Sequence, residues 1–239
     1  MTDVAASSGT TSSAASEGRR ALVAGGTGLV GRALIQQLLD HGAWESVVSL
    51  VRRPSGVAHQ RLDERRIDYD KLADDAVDLP AADDAFCCLG TTLANAGSKE
   101  AFRRVDHDYV LAFARAARRA GAGRLMLVSA IGAGTSAWAF YSRVKGEVED
   151  AVSDLGFEAV HLFRPSLLTG DRKEHRTGER LGIVFAKLVD PLMSLRPLAP
   201  YRAIPGERVA AAMIGAALSE TQGRQVHTFR EMARLATEG

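Results

Sequence analysis

Short, wholly apolar runs alternate with longer stretches in which apolar residues recur every three or four positions, and this rhythm covers most of a 239-residue chain. Leu125-Met126-Leu127-Val128 and Ala85-Phe86-Cys87-Cys88-Leu89 are apolar throughout, as a parallel strand buried on both faces requires. The same criterion predicts strands at 20–25, 46–52, 66–68, 85–89, 124–129 and 158–163. Between the first two, Val30, Leu34 and Leu38 share one face of a helix predicted at 29–41, with Gly42 just past its end. Further helices are expected at 99–119, 138–154 and 207–219. Strand and helix taking turns is the pattern of βαβ units, so the expected class is α/β with a doubly wound parallel sheet.

After Pro165 the rhythm breaks into a segment marked by Pro191, Pro197, Pro200 and Pro205. Residues 166–205 are therefore expected to form a small irregular substrate-side lobe within a single domain at 19–239. Within it Leu181, Val184, Phe185, Leu188, Val189 and Leu192 recur at helical spacing, with core packing as the default reading. Residues 1–18, mostly Ser, Thr, Ala and Gly, read as a disordered tail and not as a targeting peptide. The uncharged stretch 125–142 approaches the length of a membrane span, but Gly132, Gly134 and its hydroxyl residues favour a buried strand followed by an active-site loop.

Composition narrows the partners. With 25% charged residues and a formal net charge of +1, the chain has no general attraction to nucleic acid or to an anionic membrane. Its two cysteines, Cys87 and Cys88, are adjacent, which excludes a disulfide framework and offers no metal-ligand spacing. Buried free thiols in a reducing compartment, the cytoplasm, are the expectation.

The chemistry enters with Gly25-Gly26-Thr27-Gly28-Leu29-Val30-Gly31, which follows a predicted strand and opens a predicted helix. Glycines there permit a tight turn, let a pyrophosphate approach the backbone and allow close helix packing, while the helix N-terminus favours negative charge. The second strand then ends in Arg52-Arg53, where a cofactor lacking the 2′-phosphate usually meets an acidic residue. Two guanidinium groups suit a 2′-phosphate, so NADP(H) is expected over NAD(H); a solvated pair at a sheet edge is the bland alternative.

Tyr141 and Lys145 lie four apart in a predicted helix and so share a face. The lysine cation is expected to lower the phenol's pKa and to anchor the nicotinamide ribose, while Tyr141 passes a proton as hydride arrives at carbon. Ser129, at a strand end, can orient a substrate carbonyl.

This order of serine, tyrosine and lysine resembles the short-chain dehydrogenase/reductase superfamily. One departure is that Ala130 stands where many relatives have a second serine, leaving Ser136 as a fallback. Phe86-Cys87-Cys88-Leu89-Gly90-Thr91-Thr92, Val105-Asp106-His107-Asp108-Tyr109-Val110, the run from Tyr141 through Lys145 to Glu149, and Phe163-Arg164-Pro165 are similar to the Tat-interacting protein family of atypical members. The resemblance implies a Rossmann-type NADP-binding fold whose members are partly oxidoreductases and partly regulatory interaction proteins. It further implies Asp68 and Tyr69 beside the adenine, Leu89, Gly90 and Thr91 on the ribose side, and Pro165 where the chain passes the nicotinamide. A homodimer is compatible with it.

Two classes follow for the function, with an epimerase or dehydratase that recycles its bound cofactor as a third possibility. One is an NADP(H)-dependent reductase or dehydrogenase acting on a small carbonyl or alcohol; the other is a dinucleotide-binding regulator without turnover. Arg172, Lys173, His175, Arg176 and Arg180 make the lobe locally basic, read as a solvated charge run ahead of an anion site, and His175 has no partner at metal-ligand spacing.

Overall fold

A computed structural model describes residues 18–73, 77–170 and 202–238. β1 (Arg19–Ala24), β2 (Trp44–Val51), β3 (Leu62–Arg66), β4 (Asp84–Cys87), β5 (Arg124–Val128), β6 (Ala159–Phe163) and β9 (Gly223–His227) form one seven-stranded sheet. Its order is β3-β2-β1-β4-β5-β6-β9 with every pair parallel, the doubly wound Rossmann arrangement. Consecutive residues of the central strands enter opposite cores, Ala21 and Val23 one, Leu22 and Ala24 the other, which is why Ala21–Ala24, Ala85–Cys87 and Leu125–Val128 are unbroken apolar runs.

One core lies under α1 (Leu29–Asp40), α7 (Gly206–Leu218) and α8 (Phe229–Glu238). The other lies under α2 (Tyr69–Ala73), α5 (Tyr109–Arg119) and α6 (Phe140–Ser153). Two short helices, α3 (Leu93–Ala96) and α4 (Lys99–Arg103), lead from β4 toward α5.

Three differences from the sequence expectation have physical causes. β3 precedes the predicted 66–68 because it is an edge strand with sequence Leu-Asp-Glu-Arg-Arg, mostly exposed and lacking an apolar run. β9, the other edge, is Gly-Arg-Gln-Val-His and escapes the same criterion. The single helix expected at 99–119 contains a π-helical turn at Arg104–Asp108 between α4 and α5. A two-stranded parallel pair, β7 (Leu168–Thr169) with β8 (Ile204–Pro205), closes the two ends of the lobe. The apolar stripe and basic run between them, like the tail at 1–17, lie outside the described residues. Among the described residues no helix is long and apolar enough to cross a membrane, and 125–142 is a strand, a loop and the start of α6.

Candidate active site

The glycine loop sits where the strand order reverses, between β1 and β4. Gly25 has φ of 80°, and a Cβ there would stand 2.5 Å from the Cys88 carbonyl, so both its conformation and its neighbour demand glycine. A Cβ on Gly31 would stand 2.2 Å from the Gly25 carbonyl oxygen, which is how α1 packs so near β1. Gly28 caps α1 without a side-chain hydrogen bond, and the first turn holds no acidic residue. The helix therefore presents the positive end of its dipole, and the N–H groups of Leu29, Val30 and Gly31, without a local side-chain cap. Val30 and Gly31 are buried and the Leu29 side chain packs beside Gly170 and Gly206, so these three residues offer backbone contacts to a ligand. Thr27 is exposed, and its carbonyl accepts from Arg32 Nε at 3.0 Å. An exposed glycine turn with an uncapped helix end fits a dinucleotide pyrophosphate.

Arg52 and Arg53, just past β2, are both exposed. Asp68 is exposed too, and its carboxylate accepts from the Asp70 N–H at 3.0 Å, the role of a turn residue opening α2. Tyr69, the first residue of α2, turns its side chain inward. It is 5% exposed, its hydroxyl donates to the Leu50 carbonyl at 3.3 Å, and its ring packs against Tyr109. Burial pushes its phenol up, against the pull of the Arg52 charge and the Gly25 backbone. Tyr69 thus supports the loop from beneath, with its hydroxyl held inside the protein.

On α6, Lys145 is 4% exposed and its Nζ lies 2.7 Å from Asp106 Oδ1, in the π-helical turn. Asp106 is wholly buried, and its Oδ2 accepts from the Thr91 N–H at 2.8 Å. A Cβ on Gly90 would stand 3.4 Å from Asp106 Oδ1 and 3.8 Å from Lys145 Nζ, so Leu89, Gly90 and Thr91 run over this ion pair. The same segment adjoins Gly25, whose Cβ would lie 2.7 Å from the Leu89 nitrogen. Glycine loop, β4 segment and Lys145 therefore meet along one edge of the sheet. Asp106 went unassigned in the sequence, since an acidic residue inside a predicted helix gives no sign of its partner in space.

Tyr141, one turn before Lys145, packs against Phe102 at 5.3 Å between ring centres. Burial raises its phenol above the ordinary 10.0; Lys145 pulls it down and Asp106 pushes it up. The expectation of an acidified phenol is corrected accordingly, because desolvation is the largest effect and a buried carboxylate opposes the lysine. Lys145 itself, which burial would deprotonate, is held above its usual value by Asp106 and Tyr141. Burial likewise pushes the Cys87 thiol up to about 12, and both cysteines are free thiols.

Ser129 directly follows β5. It is buried, and its hydroxyl donates its one proton to the equally buried Glu149 of α6. Ser136 is exposed in the loop before α6. Pro165 is buried, and its carbonyl accepts from the Ile131 N–H at 3.0 Å, which ties that loop to the end of β6. No group of three or more potential metal ligands occurs among the described residues.

Comparison with known proteins shows the family and the fold. The sequence profile described as NAD(P)H-binding matches residues 25–180. Protein HTATIP2 of Rattus norvegicus is 34% identical over 212 residues, 87% of this chain and 85% of that protein. "Protein FMP52, mitochondrial" of Eremothecium gossypii is 35% identical over 175 residues, 71% of this chain and 76% of that protein. The solved structure of MoeE5 in complex with UDP-glucose and NAD superposes with a TM-score of 0.64 at 17% identity, over 92% of this chain and 81% of that one, a likeness of fold. The relative named mitochondrial overturns the cytoplasmic expectation. Cys87 is buried and Cys88 half-buried, and two free thiols so placed do not select a compartment.

Proposed function

This chain belongs to the NAD(P)H-binding family, as an atypical short-chain dehydrogenase/reductase homologous to HTATIP2, and on that premise we propose that it is an NADP(H)-dependent oxidoreductase. Its substrate is a small carbonyl or alcohol, with Tyr141 as acid and base. The observation that carries this reading is the placing of Tyr141 one helical turn from Lys145, whose amine lies beneath the Gly90 segment that adjoins the glycine loop.

A nicotinamide coenzyme bound there supplies or accepts hydride. The residues of the chain do the rest. N–H groups at the start of α1 and the glycine turn hold the pyrophosphate, and Arg52 with Arg53 receives a 2′-phosphate. Lys145, kept charged by Asp106, donates to the ribose and fixes its distance from Tyr141. Tyr141 stays protonated well past neutral pH, so it can give its proton to a carbonyl oxygen during reduction. Oxidation of an alcohol needs the phenolate and is expected to gain speed only in alkali.

The test is a panel of carbonyl compounds with NADPH, comparing the wild type with Tyr141→Phe. Turnover lost in the variant while NADPH affinity stays within twofold supports the reading. A second reading, a coenzyme-binding regulator without turnover, is favoured by one observation, the phenol raised by burial where an activated one was expected. Tight NADPH binding with no turnover across the panel would establish it instead.

A further inference from the structure

We propose that Glu149 is a positioning residue that holds Tyr141 and Lys145 in register with the carboxyl ends of the sheet. The proposal rests on the oxidoreductase reading for what is positioned, and on geometry alone for how. Tyr141, Lys145 and Glu149 follow one another at intervals of four along α6, so all three lie along one face of the helix. Glu149 is fully buried. One of its oxygens accepts from the Ser129 hydroxyl and from Arg164 Nε at 3.0 Å; the other accepts from Arg164 Nη2 and, at 3.5 Å, from Arg224 Nη2. Arg224 also reaches the neighbouring Asp150, its Nη1 lying 2.7 Å from Oδ1.

The donors come from three different places. Ser129 directly follows β5, Arg164 directly follows β6, and Arg224 lies on β9. A planar two-toothed guanidinium fork fixes both distance and rotation, which a single contact cannot do. Lys145 with Asp106 anchors the inner face of α6 at one level, and Glu149 with Arg164 anchors it about 6 Å further along. With both anchors in place the helix can neither slide nor roll against β5 and β6. With one, the phenol of Tyr141 gains a swivel about Lys145. A buried carboxylate with a hydroxyl and two cations around it is a costly way merely to fill space, since an apolar residue of similar volume would serve stability as well. It also accounts for Ser129, whose hydroxyl belongs to this network.

Glu149→Gln keeps the volume and removes the charge. At saturating NADPH, kcat per coenzyme-binding site is expected to fall at least tenfold, while the KM for NADPH, from a separate coenzyme titration, stays within twofold. Amide hydrogen exchange in α6 is expected to rise at least tenfold, with β1 and α1 unchanged. Arg164→Lys, which loses the fork but keeps the charge, carries the same readouts if Glu149→Gln does not fold, and is expected to move them the same way. A lower Tm with unchanged kcat and unchanged α6 exchange in the coenzyme-bound protein would reduce Glu149 to a structural residue and overturn the proposal. Should the wild type turn over none of the carbonyl panel, the oxidoreductase reading fails, and α6 exchange alone then decides: raised exchange upholds the pinning and unchanged exchange ends it.

Discussion

Removing the Lys145–Asp106 pair whole should cost less than the sum of breaking it from either side. The two groups are 2.7 Å apart, with side chains 5% and 1% exposed, so each is the other's main compensation for lost water. Removing one partner of such a pair typically costs about 3–5 kcal/mol, because the survivor remains buried and charged. Lys145→Met leaves Asp106 with the Thr91 N–H, and Asp106→Asn turns an amide toward a buried ammonium. At about 2–4 °C per kcal/mol for a chain of this size, either variant should melt roughly 6–20 °C below the wild type. The double variant buries no stranded charge, so its loss should fall short of the sum by about 1–3 kcal/mol. Urea unfolding at pH 7, followed by circular dichroism on all four proteins, measures this cycle. The sign with pH is also fixed. The folded amine lies above its ordinary 10.5, so its contribution is complete below that value and fades only as pH climbs past it. The gap between wild type and Lys145→Met should therefore be level from pH 6 to 9. Additive losses in the cycle, or a gap that closes within that interval, would refute a buried charged pair.

Three other outcomes are expected. Arg52→Ala should raise the Kd for NADPH about 10- to 100-fold, the worth of a charge-assisted hydrogen bond, and that for NADH less than threefold; equal losses in calorimetric titration would contradict a 2′-phosphate site. Gly31→Ala should abolish NADPH binding or prevent folding, since a Cβ there meets the Gly25 carbonyl oxygen at 2.2 Å, and a variant that binds coenzyme normally would show the turn free to move. His161 and His227 stack with Nδ1 and Nε2 2.9 Å apart, and burial pushes both down to about 4, with Arg124 and Arg234 adding to it and Glu231 opposing. Depressed histidine values stabilise the fold above the ordinary 6.5, and that contribution is lost as pH falls from 6.5 toward 4. Denaturant midpoints measured across this interval should decline in the wild type and flatten when both rings are replaced by Phe.

The sequence by itself determined the central architecture. A strand covered on both faces carries an unbroken apolar run, so the centres of β1, β4 and β5 could be read directly from the sequence, and the glycine spacing marked where a backbone turns tightly against its neighbour. The shared face of Tyr141 and Lys145 was equally legible, because a helix fixes the direction of residues four apart. Only the tertiary structure decided what those groups experience. Asp106 reaches Lys145 from a π-helical turn remote in sequence, Glu149 takes the Ser129 proton, and Tyr69 turns its hydroxyl inward to Leu50. The charged edge strands β3 and β9 likewise hold their places through backbone pairing with a neighbour, which leaves no apolar mark on their own residues. Periodicity records which way a side chain points relative to its own element, whereas acidity and hydrogen-bond partners depend on the water excluded and the charges supplied by other elements.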